Sequence, residues 1–246
     1  MLVLTLSLAA CALLIDLDEP VDLIWDKTGK ETDNLIIFFP GLYDSAVIFK
    51  DESFFSIARK EGINADMVSV DVNVYHLVKE MMIERVEKDI FERAKKSGYK
   101  NIWLVGVSLG GLNSLLFNIK HENDICGVVT LAPYVANTPL IEDLRNAKEV
   151  MNWEPDSNDN RRSLDNILQF LWVWLKEKSS KDDLNHIYLG YGKQDRYIGA
   201  IKLLENILDK NHVVAVEGGH NWSTAQKIWQ KQLSSRLKTG LLQPCK

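Results

Sequence analysis

The segment Gly106-Val107-Ser108-Leu109-Gly110-Gly111 places one serine between glycines, with a single residue separating it from each. It follows the compact apolar run Asn101-Ile102-Trp103-Leu104-Val105 and opens a stretch, 109–120, that suits a helix. A serine on such a strand–turn–helix is held in a cramped backbone geometry, with its hydroxyl lifted above the end of the sheet. The flanking glycines let strand and helix approach where a Cβ would clash. Amides at the helix start favour developing negative charge. The chemistry this arrangement serves is nucleophilic attack by the Ser108 hydroxyl. The competing reading is a plain tight turn or a ligand-binding glycine loop.

A serine needs a base, and the base needs a carboxylate to orient it. The chain has five histidines: His76, His121, His186, His212 and His220. His220 stands in Glu217-Gly218-Gly219-His220-Asn221-Trp222, between the last strand-like run and the last amphipathic stretch. Its glycines permit a turn that aims the imidazole back across the sheet. His121 and His186 fall where solvent contact or capping explains them, and His212 lies at the wrong end of its strand to meet Ser108. His76 follows a strand where it could line the cleft, but it precedes the serine and has no clear partner. For the acid, Asp195 in Gly190-Tyr191-Gly192-Lys193-Gln194-Asp195-Arg196 lies just past the run ending near Leu189, whereas Asp182 and Asp183 precede it. Ser108, Asp195 and His220 then all fall at strand carboxyl ends, where open α/β sheets place their sites. Stabilising an oxyanion takes two fixed donors. The Leu109 amide is one, and the Leu42 amide in Phe39-Pro40-Gly41-Leu42-Tyr43-Asp44 is assigned as the other. Tyr43 and Trp222 are candidate substrate contacts.

The elements that must position these groups alternate. Strands are expected at 35–39, 67–72, 101–105, 125–131, 187–189 and 212–216. Helices are expected at 46–61, 77–97, 109–120, 199–210 and 222–237. Continuous apolar strands alternating with helices predict an α/β fold with a mostly parallel open sheet and helices on both faces. The rhythm breaks between Pro133 and Asp183, a span too long for a simple crossover. Residues 134–183 are therefore expected to form a small helical cap insertion within one domain covering 1–246. Its tryptophans, Trp153, Trp172 and Trp174, either line the cap or belong to the core.

Composition narrows the partners. The 246 residues are 46% hydrophobic and 26% charged, as in an ordinary globular protein. Acidic residues outnumber Lys plus Arg by 34 to 29, for a net charge of −5, which argues against nucleic acid as a partner. Cys11, Cys126 and Cys245 are too few for a disulfide scaffold and show no metal-ligand spacing. A Cys11–Cys245 bridge is open to an exported chain. The opening MLVLTLSLAACALLIDLDEP is short for a membrane span and lacks a basic start. Residues 2–15 read either as a buried strand or apolar helix in a cytoplasmic protein, or as a truncated signal. In the second reading Leu8-Ala9-Ala10-Cys11 resembles a bacterial lipobox, with Cys11 lipidated and the protein anchored to a membrane. Nothing in the sequence addresses oligomeric state.

Taken together, the Pro40-Gly41 loop, the Gly106–Gly111 turn, the Gly192-x-x-Asp195 loop and the Gly219-His220 loop resemble the α/β-hydrolases, over roughly residues 30–240. The likeness is to their esterase, acyl-hydrolase and serine-peptidase-like members. It implies a mainly parallel eight-stranded sheet with a cap inserted after the sixth strand, at the place of the 134–183 segment. Phe39-Pro40-Gly41 replaces the His-Gly loop of many lipases. The activity implied is hydrolysis of a small-molecule carboxylic ester through an acyl-enzyme, with no metal or organic cofactor. Thioesterase and peptidase activities share the same first step, and a binding module without catalysis is the remaining alternative.

Overall fold

The computed structural model describes residues 20–72, 81–155, 163–234 and 236–241. The N-terminal apolar stretch with Cys11, and His76, lie outside the described residues. Seven strands form one sheet: β1 (Leu23–Asp26), β2 (Asn34–Phe39), β3 (Asp66–Val70), β4 (Asn101–Val107), β5 (Ile125–Leu131), β6 (Ile187–Gly192) and β7 (Val213–Val216). Their spatial order is β1-β3-β2-β4-β5-β6-β7, with β1 antiparallel to β3 and every other pairing parallel. Among the described residues the sheet thus has seven strands where the family resemblance implies eight.

Alternation along the strands divides the apolar residues between two cores. Leu35, Ile37 and Phe39 enter one, and Ile36 and Phe38 the other. The helices in chain order are α1 (Ile48–Asp51), α2 (Phe54–Lys60), α3, α4 (Leu109–Lys120), α5 (Thr138–Asn146), α6 (Ser163–Ser180), α7 (Ile198–Glu205), α8 (Trp222–Leu233) and α9 (Arg236–Leu241). Here α3 comprises Met82–Val86, a π-helical turn Glu87–Phe91 and Glu92–Lys96. Helices α3 to α7 pack on the first core, and α1, α2, α8 and α9 on the second. Both faces of a parallel sheet are thereby buried, as continuous apolar strands require.

Several boundaries differ from the sequence reading. The helix expected over 46–61 is two, because Ser53 adopts φ 62° and interrupts it. The 199–210 helix stops at Glu205, and β6 runs three residues past Leu189. In the 134–183 segment, α5, a short 3-10 turn (Val150–Asn152) and α6 connect β5 to β6. Its tryptophans are core: Trp153, Trp172 and Trp174 are buried, and the Trp172 indole donates to the Val135 carbonyl at 2.8 Å. No described helix is long and apolar enough to cross a membrane.

Cys126, at the start of β5, is disulfide-bonded. Cys11 and Cys245, and with them the Cys11–Cys245 pairing, lie outside the described residues. Reduction is expected to cost about 2–4 kcal/mol, read as a fall in Tm of about 5–15 °C in scans with and without dithiothreitol. An unchanged Tm after complete reduction would contradict that linkage.

Candidate active site

Connections leave β2 in one direction, to β3, and return past it to β4, so the carboxyl ends of β2 and β4 mark a topological switch point. Open α/β sheets bind ligands at such a crevice. The register pairs Phe39 with Gly106, which sets the Pro40–Asp44 loop beside the turn that follows β4.

That turn is held by close backbone contact. A Cβ on Gly106 would lie 2.1 Å from the Gly110 carbonyl oxygen, and one on Gly110 would lie 2.0 Å from that of Phe39. Ser108 sits between them at φ 55°, ψ −117°, a conformation that a non-glycine residue holds only when its surroundings impose it. Here its amide donates to the Leu131 carbonyl at 2.9 Å, and its carbonyl accepts from the Tyr134 and Gly111 amides at 2.9 and 3.0 Å. Ser108 itself stays partly exposed at the head of α4. The Leu109 amide belongs to the first turn of α4, whose donors have no intrahelical acceptor.

The Asp195 and His220 loops are clamped to each other. The Lys193 and Gln194 amides donate to the Val216 and Gly218 carbonyls at 2.8 and 2.9 Å, and the Gly218 amide donates to the Gln194 side chain at 2.6 Å. Gly192 is needed at this crossing, since a Cβ there would stand 2.2 Å from the Gly218 oxygen. Asn221 then caps α8 by accepting from the Thr224 amide at 2.9 Å, fixing the residue next to His220.

The structure brings the three sequence-assigned groups into one chain of hydrogen bonds. His220 Nε2 lies 2.9 Å from Ser108 Oγ, and His220 Nδ1 lies 2.9 and 3.1 Å from Asp195 Oδ2 and Oδ1. Asp195 is buried, 2% exposed, and also accepts from the Tyr197 amide at 2.8 Å. The other described histidines are packed elsewhere. His121 lies against Phe91 and Phe117, His186 contacts Asn118, and His212 stacks on Tyr188. Burial lowers the pKa of both His121 and His186. Asp183 pairs with Lys178.

The Pro40–Asp44 loop runs beside the serine: a Cβ on Gly41 would be 3.7 Å from Ser108 Cβ. Leu42 is half-exposed, and Tyr43 is 87% exposed, its ring with no aromatic partner among the described residues. Trp222 is better enclosed, edge-on to Phe49 and Phe54 with ring centres 5.5 and 5.7 Å away. Its indole donates to the Asp44 carboxylate; burial is the largest influence on Asp44 and raises its pKa, which the Trp222 bond partly offsets. Val107, Ala132, His220, Asn221, Trp222 and Ala225 enclose a cavity of about 100 Å³.

Sequence reasoning missed two aromatic residues. The Tyr197 ring stands edge-on to His220 at 4.9 Å, and the Tyr134 ring edge-on to Tyr197 at 5.4 Å. The signal for Tyr197 was its place two residues after Asp195. Tyr134 carried none, because its nearness to Ser108 comes from the β4–β5 pairing.

No family model matches the chain, and no curated protein matches it. Solved structures do. Est1E from Butyrivibrio proteoclasticus superimposes with a TM-score of 0.59 at 15% identity, covering 91% of this chain and 94% of that one. An S-formylglutathione hydrolase from Staphylococcus aureus gives 0.57 at 15%, with coverage of 87% and 89%. A monoacylglycerol lipase from Paleococcus ferrophilus gives 0.55 at 14%, with coverage of 88% and 99%. The superpositions take in most of the chain, and the mostly parallel sheet carries helices on both faces: the protein has the α/β-hydrolase fold.

Proposed function

We propose that the protein is a serine hydrolase that cleaves a carboxylic ester of a small molecule through an acyl-enzyme. The observation that carries this reading is the unbroken hydrogen-bond chain from Ser108 through His220 to the buried Asp195. In the first half-reaction His220 Nε2 takes the Ser108 proton as Oγ attacks the carbonyl carbon. The tetrahedral intermediate collapses as the imidazolium returns that proton to the departing alkoxide. Water then attacks the acyl-enzyme with His220 again as base, releasing the acid and restoring Ser108. Asp195 fixes the imidazole tautomer and stabilises its charged form. The Leu42 and Leu109 amides are the oxyanion donors in this scheme, and none of the steps needs a metal or an organic cofactor. Tyr43 sits at the rim as a candidate contact for the outer part of the substrate. The 134–183 insertion is read as a cap within a single domain. Disulfides persist in oxidising compartments, so the bonded Cys126 favours the exported alternative.

The cavity beside His220 and Trp222 sizes the acyl group. Drug-sized pockets run to several hundred Å³, and about 100 Å³ holds only a few carbons. Each methylene it accepts is worth about 0.8 kcal/mol, or about four-fold in kcat/KM. Across p-nitrophenyl esters, kcat/KM is expected to rise from acetyl toward butyryl and to fall by octanoyl. A maximum at palmitoyl would contradict this assignment of the cavity. If every ester is inert while a fluorophosphonate still labels the protein, the substrate is a thioester or a peptide.

A further inference from the structure

A second, larger cavity, of about 380 Å³, opens between α5 and α7. Tyr134 and Tyr197 form its wall toward the candidate triad, and Arg145 and Arg196 also line it. These tyrosines are the residues tied to the serine and the histidine: the Tyr134 amide bonds the Ser108 carbonyl, and the Tyr197 ring abuts His220. His220 lines the small cavity, and Tyr197, whose ring abuts His220, lines this one.

Two of the larger cavity's lining side chains are arginines, on a chain that is acidic overall, at −5. Neither Arg145 nor Arg196 has a carboxylate partner among the described residues. Arg196 lies over the Tyr197 ring at 5.0 Å, and the Arg145 guanidinium lies against Gly199, where a Cβ would be 2.9 Å from Nη2. Glycine at 199 leaves that guanidinium room to lie along the cavity wall. Glu142 also lines the cavity, leaving an excess of one positive charge. Guanidinium groups bind carboxylate and phosphate in a planar, two-pronged fashion.

We propose that this cavity takes the alcohol side of the substrate and that the alcohol carries a negative charge, a carboxylate or a phosphate, held by Arg145 and Arg196. The proposal rests on the reading of Ser108 as the nucleophile. It makes the substrate an ester of a short acid with an anionic alcohol.

The test uses acetyl esters of 4-hydroxybenzoate, 4-hydroxyphenylacetate and 3-(4-hydroxyphenyl)propanoate, each beside its neutral methyl ester, together with 4-acetoxyphenyl phosphate. The ratio of kcat/KM for anionic over neutral ester is compared between wild type and the double variant Arg145→Gln, Arg196→Gln. For at least one anionic ester the ratio is expected to fall about ten-fold in the double variant, and to fall in wild type when salt screens the contact. Whether the carboxylates or the phosphate show the larger drop identifies the anion. Equal ratios in the two proteins for every ester would overturn the proposal, including the case where both activities decline together. Ser108→Ala is assayed on the neutral esters in parallel. Turnover persisting there would overturn the nucleophile reading instead, so the two failures are distinguishable.

Discussion

Ser108→Ala is expected to lower kcat for any ester the protein cleaves by about 10⁵-fold or more, while the protein folds as before. The magnitude follows from what happens when the nucleophile of a serine–histidine–acid unit is removed and only positioning and oxyanion donors remain. Retention of the fold follows from local geometry. Alanine keeps the Cβ, and the turn is held by backbone bonds to Leu131, Tyr134 and Gly111 that the substitution does not touch. The hydroxyl lost is partly exposed, and its partner His220 keeps both contacts to Asp195. The change in Tm should therefore stay within a few degrees. Activity lost together with the thermal transition would mean that Ser108 serves folding, and the kinetic result would carry no catalytic meaning.

Gly110→Ala should have the largest effect on stability. Its Cβ would stand 2.0 Å from the Phe39 carbonyl oxygen and 2.5 Å from that of Pro40, both main-chain atoms at the carboxyl end of a central strand. Neither can turn away as a flexible side chain would, so α4 must move off the sheet. A cost above about 4 kcal/mol is expected for such a backbone clash, or at least about 10 °C in Tm for a chain of this size. Gly219→Ala provides the contrast within the same site. Its nearest neighbour would be the Gln194 carbonyl oxygen at 3.5 Å, an ordinary contact. That variant should remain within about 1 kcal/mol of wild type by chemical denaturation. Equal losses in the two variants would show that the strand–helix contact at Gly110 is not what makes glycine necessary there.

The contrast between these glycines also shows what could be read from sequence. Ser108, Asp195 and His220 were legible because each lies a few residues past an apolar run, and the chain direction of a parallel sheet brings all such ends to one edge. Strand β5 was legible over its full length because its seven residues are apolar apart from one threonine and one glycine, with polar residues directly before them. The break at Ser53 was not, because the residues around it continue an apolar helical pattern and only a backbone conformation separates α1 from α2. The tryptophans of the β5–β6 connection were ambiguous for a related reason. An apolar helix covering a sheet face and one lining a cap have the same composition, and only packing distinguishes them. Tyr134, Arg145 and Arg196 were illegible as a group. They come from the end of β5, from α5 and from the acid loop, and only the tertiary arrangement joins them around one cavity.

The burial of Asp195 and the partial exposure of Ser108 divide the work of the site. The carboxylate is held by the Tyr197 amide and the His220 ring, while Ser108 at the other end of the chain is partly exposed to a reagent. The most direct test of the central claim uses that opening. The purified protein is treated with a fluorophosphonate, its intact mass is measured, and the adduct is mapped by peptide sequencing. The account predicts a single adduct on Ser108, formed by the wild type and absent from Ser108→Ala. An adduct on a different residue, or an unreacted wild-type protein that nevertheless hydrolyses esters, would contradict it.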